Sequence, residues 1–314
     1  MFLFTKIQKN IHLSTFFFAN AKILCIFANS TPNRGCTLNK YKSRISMDSP
    51  IVTLTSDWGF SDFFIGKVKG RLLALIPNVR IVDIAHDQPP FQLFRTAFIV
   101  THTCFEFPQD SIHIIDVSSR HHAETDYLAI RCEGQYYIMA DNGLPGVLFQ
   151  GKHFEAVSLA GITWDTPFRT FPACDLFCRV AAMIASGFPL SEIGSPVTHL
   201  VQGAYYEPII NSDSIQAHAT YVDRYGNIDL DISFERFDEV AKMRSFVLSF
   251  NDYKINRLTV NYSVPASRHA SYSERLILTI SSTGYLQIAM IGGSAADLLG
   301  LRNLGTVSIQ FLSD

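Results

Sequence analysis

The chain has 314 residues, of which 47% are hydrophobic and 17% charged. That balance suits one or two globular domains with a large core and argues against a disordered protein. Formal net charge is −2, but residues 1–47 hold seven of the 26 basic residues and none of the acidic ones, so the rest is strongly acidic, which disfavours nucleic acid as a partner.

The basic leader contains an apolar run, Phe16–Ala28, broken by Asn20 and Lys22 and too short to span a membrane. Met47-Asp48-Ser49-Pro50 reads as a natural start just before the first strand, so residues 1–46 are expected to be disordered or an upstream mis-start, with a targeting peptide as the alternative. None of the six cysteines forms a C-x-x-C pair, and Cys174 and Cys178 fit small core positions on one helix face. No metal site is expected.

From Ile51 strand and helix alternate. Ile51–Ser56 is an apolar, β-branched strand that stops at Asp57, Trp58 and Gly59. Ser61-Asp62 caps a helix in which Phe64, Val68, Leu72 and Ile76 recur at helical spacing, ended by Pro77-Asn78. Arg80–Ile84 is a strand, Pro89-Pro90 opens a helix to about Phe105, and Ser111–Asp116 is a strand again ending in Asp. Tyr127–Cys132 and Gln135–Ala140 flank Glu133-Gly134 as a hairpin, and a helix over Asp175–Ser186 is stopped by Gly187 and Pro189. This pattern predicts an α/β domain over 48–195, a mostly parallel sheet with helices on both faces.

After about residue 200 the pattern becomes short strands: Ala217–Val222, Arg244–Phe250, Arg275–Ile280, Gly284–Met290 and Thr306–Leu312. Helices over Ser233–Met243 and Ser294–Leu299 interrupt them. A small antiparallel β barrel is expected over 203–314, with the boundary near Gly194–Gly203.

Strand ends at the carboxyl edge of an open α/β sheet are where ligands bind. Asp57 there can accept two hydrogen bonds from a ribose diol, or cap the next turn. Asp116 has the same placement. His86-Asp-Gln-Pro-Pro-Phe91 presents an aromatic after a rigid turn, with His86 expected to be structural. Asp141-Asn142-Gly143 makes a tight turn after a strand. Tyr221-Val-Asp-Arg-Tyr-Gly-Asn227 crowds an Asp, an aromatic and an Asn round a glycine. No G-x-G-x-x-G or G-x-x-x-x-G-K-[ST] loop follows the first strand, so a dinucleotide or P-loop site is not expected.

The ordered set Thr-Ser-Asp-Trp-Gly, Ile-Val-Asp-Ile-Ala-His, Pro-Pro-Phe, Asp-Asn-Gly, Thr170-Phe171, Asp-x-x-Gly-Asn and Gly293-Ser-Ala-Ala296 resembles the S-adenosylmethionine hydroxide adenosyltransferase family, related to enzymes that make 5′-halogenated deoxyadenosines. The resemblance runs from about Ile51 to the end. It implies an α/β domain plus β barrel, a homotrimer, and S-adenosylmethionine as substrate with no further cofactor; a cytoplasmic location and no membrane partner are expected alongside it. It places Asp57 on the ribose hydroxyls, Phe91 beside the ligand, Asp223 on the methionine amine, Tyr225 against adenine and Asn227 on its edge. Ser294 falls at a helix start that either faces the methionine carboxylate or is simply close-packed. The expected reaction is in-line attack of water at ribose C5′, giving adenosine with methionine leaving.

The nucleophile-handling positions depart from the family pattern. Asp116 matches the family Asp, but the Arg seven residues on is Ala123. Pro172, Ala173 and Cys174 stand in the segment that usually reads His-Gly-Arg, and Ile291 replaces an Asn. Three readings follow. Arg120, His121 or His122 of the longer loop stands in for the missing groups beside Asp116; or S-adenosylmethionine or adenosine is bound without turnover; or another anion, such as a halide, attacks.

Overall fold

The structure, a computed structural model, describes residues 49–88, 92–119, 125–203, 206–262, 271, 273–301 and 305–312. The expected leader, residues 1–46, lies outside them. Two compact units form. Of the described residues, unit 1 holds those up to Leu93 and within 103–203, and unit 2 holds those within 94–102 and after 205.

Unit 1 is built on seven strands: β1 (Ile51–Ser56), β2 (Arg80–Ala85), β3 (Ile112–Asp116), β4 (Tyr127–Cys132), β5 (Gln135–Ala140), β6 (Phe154–Ser158) and β7 (Ser195–Val197). They lie in the order β2-β1-β3-β5-β4-β6-β7. The β2, β1, β3 and β5 neighbours pair parallel, and only β4 and β7 run against the rest, so the sheet is mostly parallel as expected. Both central strands are buried nearly end to end, because a parallel strand has no solvent face.

The helices are α1 (Phe63–Leu75), α2 (Leu93–Thr103), α3 (Leu144–Leu148), α4 (Cys178–Ala185), α5 (Leu190–Ile193), α6 (Phe234–Ala241) and α7 (Ala295–Leu299). Val68 and Leu72 of α1 pack with Val180 and Ile184 of α4 over Val52, Leu54, Ile112 and Ile114. Asp62 stands at the N-cap position of α1 but makes no side-chain cap bond, so the first turn is held by that packing and not by the expected cap. A π-helical turn, Ala173–Phe177, leads into α4, where a continuous helix from Asp175 was expected. Most of the predicted helix after Pro90, α2, belongs to unit 2. There Phe98 stacks on Tyr221 at 4.7 Å and Arg95 donates to the Val222 carbonyl at 3.0 Å.

On the other face of the unit 1 sheet His113 is fully buried. Gln135 Nε2 donates to the Phe107 carbonyl at 2.8 Å, which turns its Oε1 toward His113 Nε2 at 2.6 Å. The ring therefore carries its proton on Nε2 and accepts from the Thr53 hydroxyl on Nδ1 at 2.7 Å. Burial pushes its pKa down to about 4 from 6.5. A depressed histidine binds its proton more readily when unfolded. Stability is therefore expected to be intact above about 6.5 and to fall by about 3 kcal/mol as pH drops toward 4. Denaturant midpoints of the parent and of His113→Gln across that window check this, since the Gln variant should lose that slope.

Among the described residues unit 2 carries nine strands: β8 (Ile209–Ile210), β9 (Ser214–Val222), β10 (Ile228–Ser233), β11 (Phe246–Phe250), β12 (Tyr253–Ile255), β13 (Leu258–Thr259), β14 (Leu276–Ile280), β15 (Tyr285–Met290) and β16 (Thr306–Phe311). Their order is β12-β11-β16-β9-β10-β15-β14-β13, with β8 beside β9. Every pair is antiparallel except β13 with β14. The sheet curls as a half-barrel around Ile215, Leu230, Leu248, Leu278, Ile288 and Ile309, and β12 and β13 end the ladder. Ser233 caps α6 by accepting from Arg236 N at 3.2 Å.

Candidate functional site

Adjacent strands β1 and β3 run parallel with Ser56 opposite Asp116, so both acidic residues, Asp57 and Asp116, emerge at one carboxyl edge. Just past β3 the backbone turns through Ser118, a non-glycine residue at φ +52. That conformation is costly for a side chain and is held from two sides. Asn142 Nδ2 donates to the carbonyls of Val117 (3.0 Å) and Ser118 (3.3 Å), while its Oδ1 accepts from Leu144 N at 3.2 Å. The turn points Ser118 N–H at Asp57 Oδ2, 2.9 Å away. Asp141 lies outside this arrangement and accepts from Val201 N at 3.0 Å.

Asp116 is 4% exposed. Its Oδ2 accepts from the Trp58 indole Nε1–H at 3.0 Å, and its Oδ1 is buried with no partner among the described residues. Burial, with the Asp57 charge nearby, pushes its pKa up to about 7 from 3.8, against the opposing effect of the Trp58 indole and of the nearby Ser119 hydroxyl, whose own proton is directed at the Val117 carbonyl at 3.4 Å. Burial and the charge of Asp116 together push the neighbouring Tyr127 phenol up as well. A carboxyl group titrating near neutrality, with one oxygen unpartnered among the described residues, can take a proton from water.

Trp58 is caged. Phe171 meets it edge-on at 5.2 Å, Phe64 lies 6.4 Å away and His86 stacks at 6.0 Å. His86 is fully buried and bonded at both ring nitrogens, to the Ser56 hydroxyl (2.6 Å) and to Asp83 (3.0 Å). It therefore serves the structure. Phe171, one residue before Pro172, brings the divergent segment against this cage.

In unit 2 the loop between β9 and β10 gathers the other predicted residues. Asp223 Oδ1 accepts from the backbone N–H groups of Tyr225 (2.8 Å) and Asn227 (2.9 Å), and Oδ2 accepts from Asn227 Nδ2 (2.8 Å). The Asp and the Asn thus bond each other first, and Tyr225 stands 82% exposed. Ser294 lies against Gly226, whose carbonyl accepts from Ala296 N at 2.9 Å. The Ser294 hydroxyl accepts from Asp297 N at 3.1 Å, so it caps the five-residue α7.

Asp57 and Asp116 are brought together in unit 1, and Asp223, Tyr225, Asn227 and Ser294 in unit 2. Phe91, Arg120, His121 and His122, and with them Ala123, lie outside the described residues. Trp58 and Asn142 were given no part in the chemistry by the motif reading. The signal for Trp58 was an indole, a ring with a donor, directly after the strand-end carboxylate. Among the described residues no group of three His, Cys, Asp or Glu side chains could hold a metal, and no helix is long and apolar enough to cross a membrane.

A mostly parallel sheet with carboxylates at its carboxyl edge, followed in the chain by a curled antiparallel sheet, defines an α/β protein with its candidate site at the strand ends. The chain belongs to the SAM hydroxide adenosyltransferase family: residues 52–194 match its N-terminal domain and residues 217–308 its C-terminal domain. Similar proteins include the (R)-S-adenosyl-L-methionine hydrolase of Salinispora tropica, 26% identical over 263 residues (81% of this chain, 95% of the relative). The enzyme of the same name from Methanocaldococcus jannaschii is 24% identical over 83% of this chain and 96% of its own. A fluorinase of Nocardia brasiliensis is 25% identical over the same two shares. An uncharacterized conserved protein from Thermotoga maritima shares the fold, with a TM-score of 0.73 at 20% identity, over 83% of this chain and 99% of that one.

Proposed function

We propose that the protein hydrolyses S-adenosylmethionine to adenosine and L-methionine. The observation that carries this reading is Asp116, a buried carboxyl group poised near neutral pH with one oxygen unpartnered among the described residues. Family membership and the names of the relatives support S-adenosylmethionine as the substrate. Asp57 binds the ribose diol, and Asp223, Tyr225, Asn227 and Ser294 receive the methionine and adenine ends. In the reaction a water oxygen bonds to C5′ as the C5′–sulfur bond breaks. The electron pair leaves with methionine as a neutral thioether, so no general acid is needed. Asp116 Oδ1 takes the water proton and later releases it to solvent. Aromatic walls attract the sulfonium cation and keep bulk solvent from the one attacking water. No cofactor takes part. The proposal includes a homotrimer in the cytoplasm, and light scattering that gave any other mass would remove the trimer from it.

Pro172 and Cys174, where the resembling segment carries His and Arg, favour a second reading in which the ligand is bound without turnover. One experiment separates the two. With S-adenosylmethionine at a hundredfold excess over its dissociation constant, the folded state should gain about 2.7 kcal/mol, and Asp57→Ala should lose most of that gain. Chromatography of the same mixture should show adenosine. Stabilisation without adenosine leaves the binding reading; a halogenated nucleoside at high chloride makes halide the nucleophile; no stabilisation at millimolar ligand overturns both.

A further inference from the structure

We propose that Trp58 is a positioning residue for Asp116: its indole N–H holds Oδ2 and leaves Oδ1 as the one oxygen able to take a proton. The proposal rests on the reading of Asp116 as the base, but its geometry stands apart from any substrate.

A carboxylate has two equivalent oxygens, and rotation about its last bond exchanges them. An indole has a donor and no acceptor, so it removes that equivalence. The Trp58 donor is 3.0 Å from Oδ2. The bare oxygen of a carboxyl group accepts more strongly than its hydroxyl oxygen, so the indole favours the form in which Oδ2 carries no proton. A proton arriving on Asp116 is therefore directed to Oδ1, the oxygen that has no partner among the described residues. The lock holds through a catalytic cycle, since Oδ2 accepts from the indole whether Asp116 is ionised or neutral.

The lock needs a ring that does not turn. Phe171 meets Trp58 edge-on, and His86 stacks on it. His86 is itself fixed by Ser56 and Asp83, and its carbonyl accepts from Gly59 N at 2.6 Å, which anchors the backbone just after Trp58. Strand β1, strand β2 and the segment entering α4 thus converge on one N–H. The ionisable group whose charge also acts on Asp116 is Asp57 at the end of β1, while Tyr127 on β4 and Cys178 on α4 face it as neutral groups that burial and the Asp116 charge push up.

The chain has two tryptophans, Trp58 and Trp164, so a proton–nitrogen spectrum of the full chain shows two side-chain indole signals. The Trp58 signal, identified by its loss in Trp58→Phe, should shift with a single pH midpoint that vanishes in Asp116→Asn. The same midpoint should survive in Asp57→Asn, moved to lower pH by the loss of that charge, and in Tyr127→Phe. An indole signal that ignores pH, or titrates equally in Asp116→Asn, overturns the proposal. Trp58→Phe keeps the ring and removes the donor. It should lower kcat by roughly tenfold or more with KM unchanged, and move the acidic limb of the rate profile to higher pH, because the ionised carboxylate has lost a donor. Unchanged kcat and limb also overturn it. If the parent makes no adenosine, the hydrolase reading fails while the indole titration still decides the lock. If Trp58→Phe does not fold, the parent and Asp116→Asn spectra decide it, the midpoint lost in Asp116→Asn marking the Trp58 signal.

Discussion

Asp116→Asn is expected to cut adenosine formation by roughly 10²–10⁴-fold, the usual contribution of a positioned base, and at the same time to make the folded protein more stable above pH 7. The two effects share one cause. Burial holds the carboxyl group in its neutral form up to about 7, where an unfolded aspartic acid ionises at 3.8. A group raised in the folded state lends stability that is complete below its unfolded value and is lost as pH climbs through its folded one. Above pH 7 the parent therefore holds a buried charge that costs up to about 4 kcal/mol. Asparagine never ionises, and its carbonyl can still accept from the Trp58 indole. Denaturant midpoints at pH 5 and pH 8 should diverge for the parent and coincide for the variant, as far as Asp116 governs them. A variant that loses both activity and stability at pH 8 would give Asp116 a structural role instead.

Gly226→Ala should destabilise the protein by about 2–4 kcal/mol and weaken S-adenosylmethionine binding with it. The residue adopts φ +80, which costs about 1 kcal/mol for a residue with a Cβ. The new methyl would sit 2.6 Å from Ser294 Cβ and 3.0 Å from its Cα, both on the cap of α7, and overpacking of that kind adds about 1–3 kcal/mol. Gly284→Ala is the matched comparison: φ is +82, but nothing lies within 4 Å of the added carbon. It should show the backbone cost alone. Equal losses for the two variants would mean that contact with Ser294 is unimportant.

The buried strands β1 and β3 were legible because a continuous β-branched run that stops at a carboxylate has few other readings. The β4–β5 hairpin was legible from its Glu-Gly turn. Strand β10 was passed over although Ile228, Leu230 and Ile232 alternate, because the intervening Asp229 and Asp231 look like loop residues; both are largely buried. Strand β7 contains Pro196, which disqualifies a central strand but is tolerated at the sheet edge where β7 lies. That α2 packs with unit 2 depends on partners more than a hundred residues away, and no local pattern carries that. At the site, the carboxylates could be read from strand ends. The indole that orients one of them, and the Asp223–Asn227 bond that occupies the other loop's polar groups, are contacts across turns that composition does not encode.

The turn at Ser118 ties two tasks together. Its N–H grips Asp57, and the same four-residue stretch begins with Asp116. A sugar that draws Asp57 toward itself pulls on the backbone that aims the proton acceptor, so affinity and turnover are energetically coupled. A double-mutant cycle across Asp57 and Asn142, one at each end of that turn, should be non-additive by 0.5 kcal/mol or more, at about the lower bound for linked neighbours.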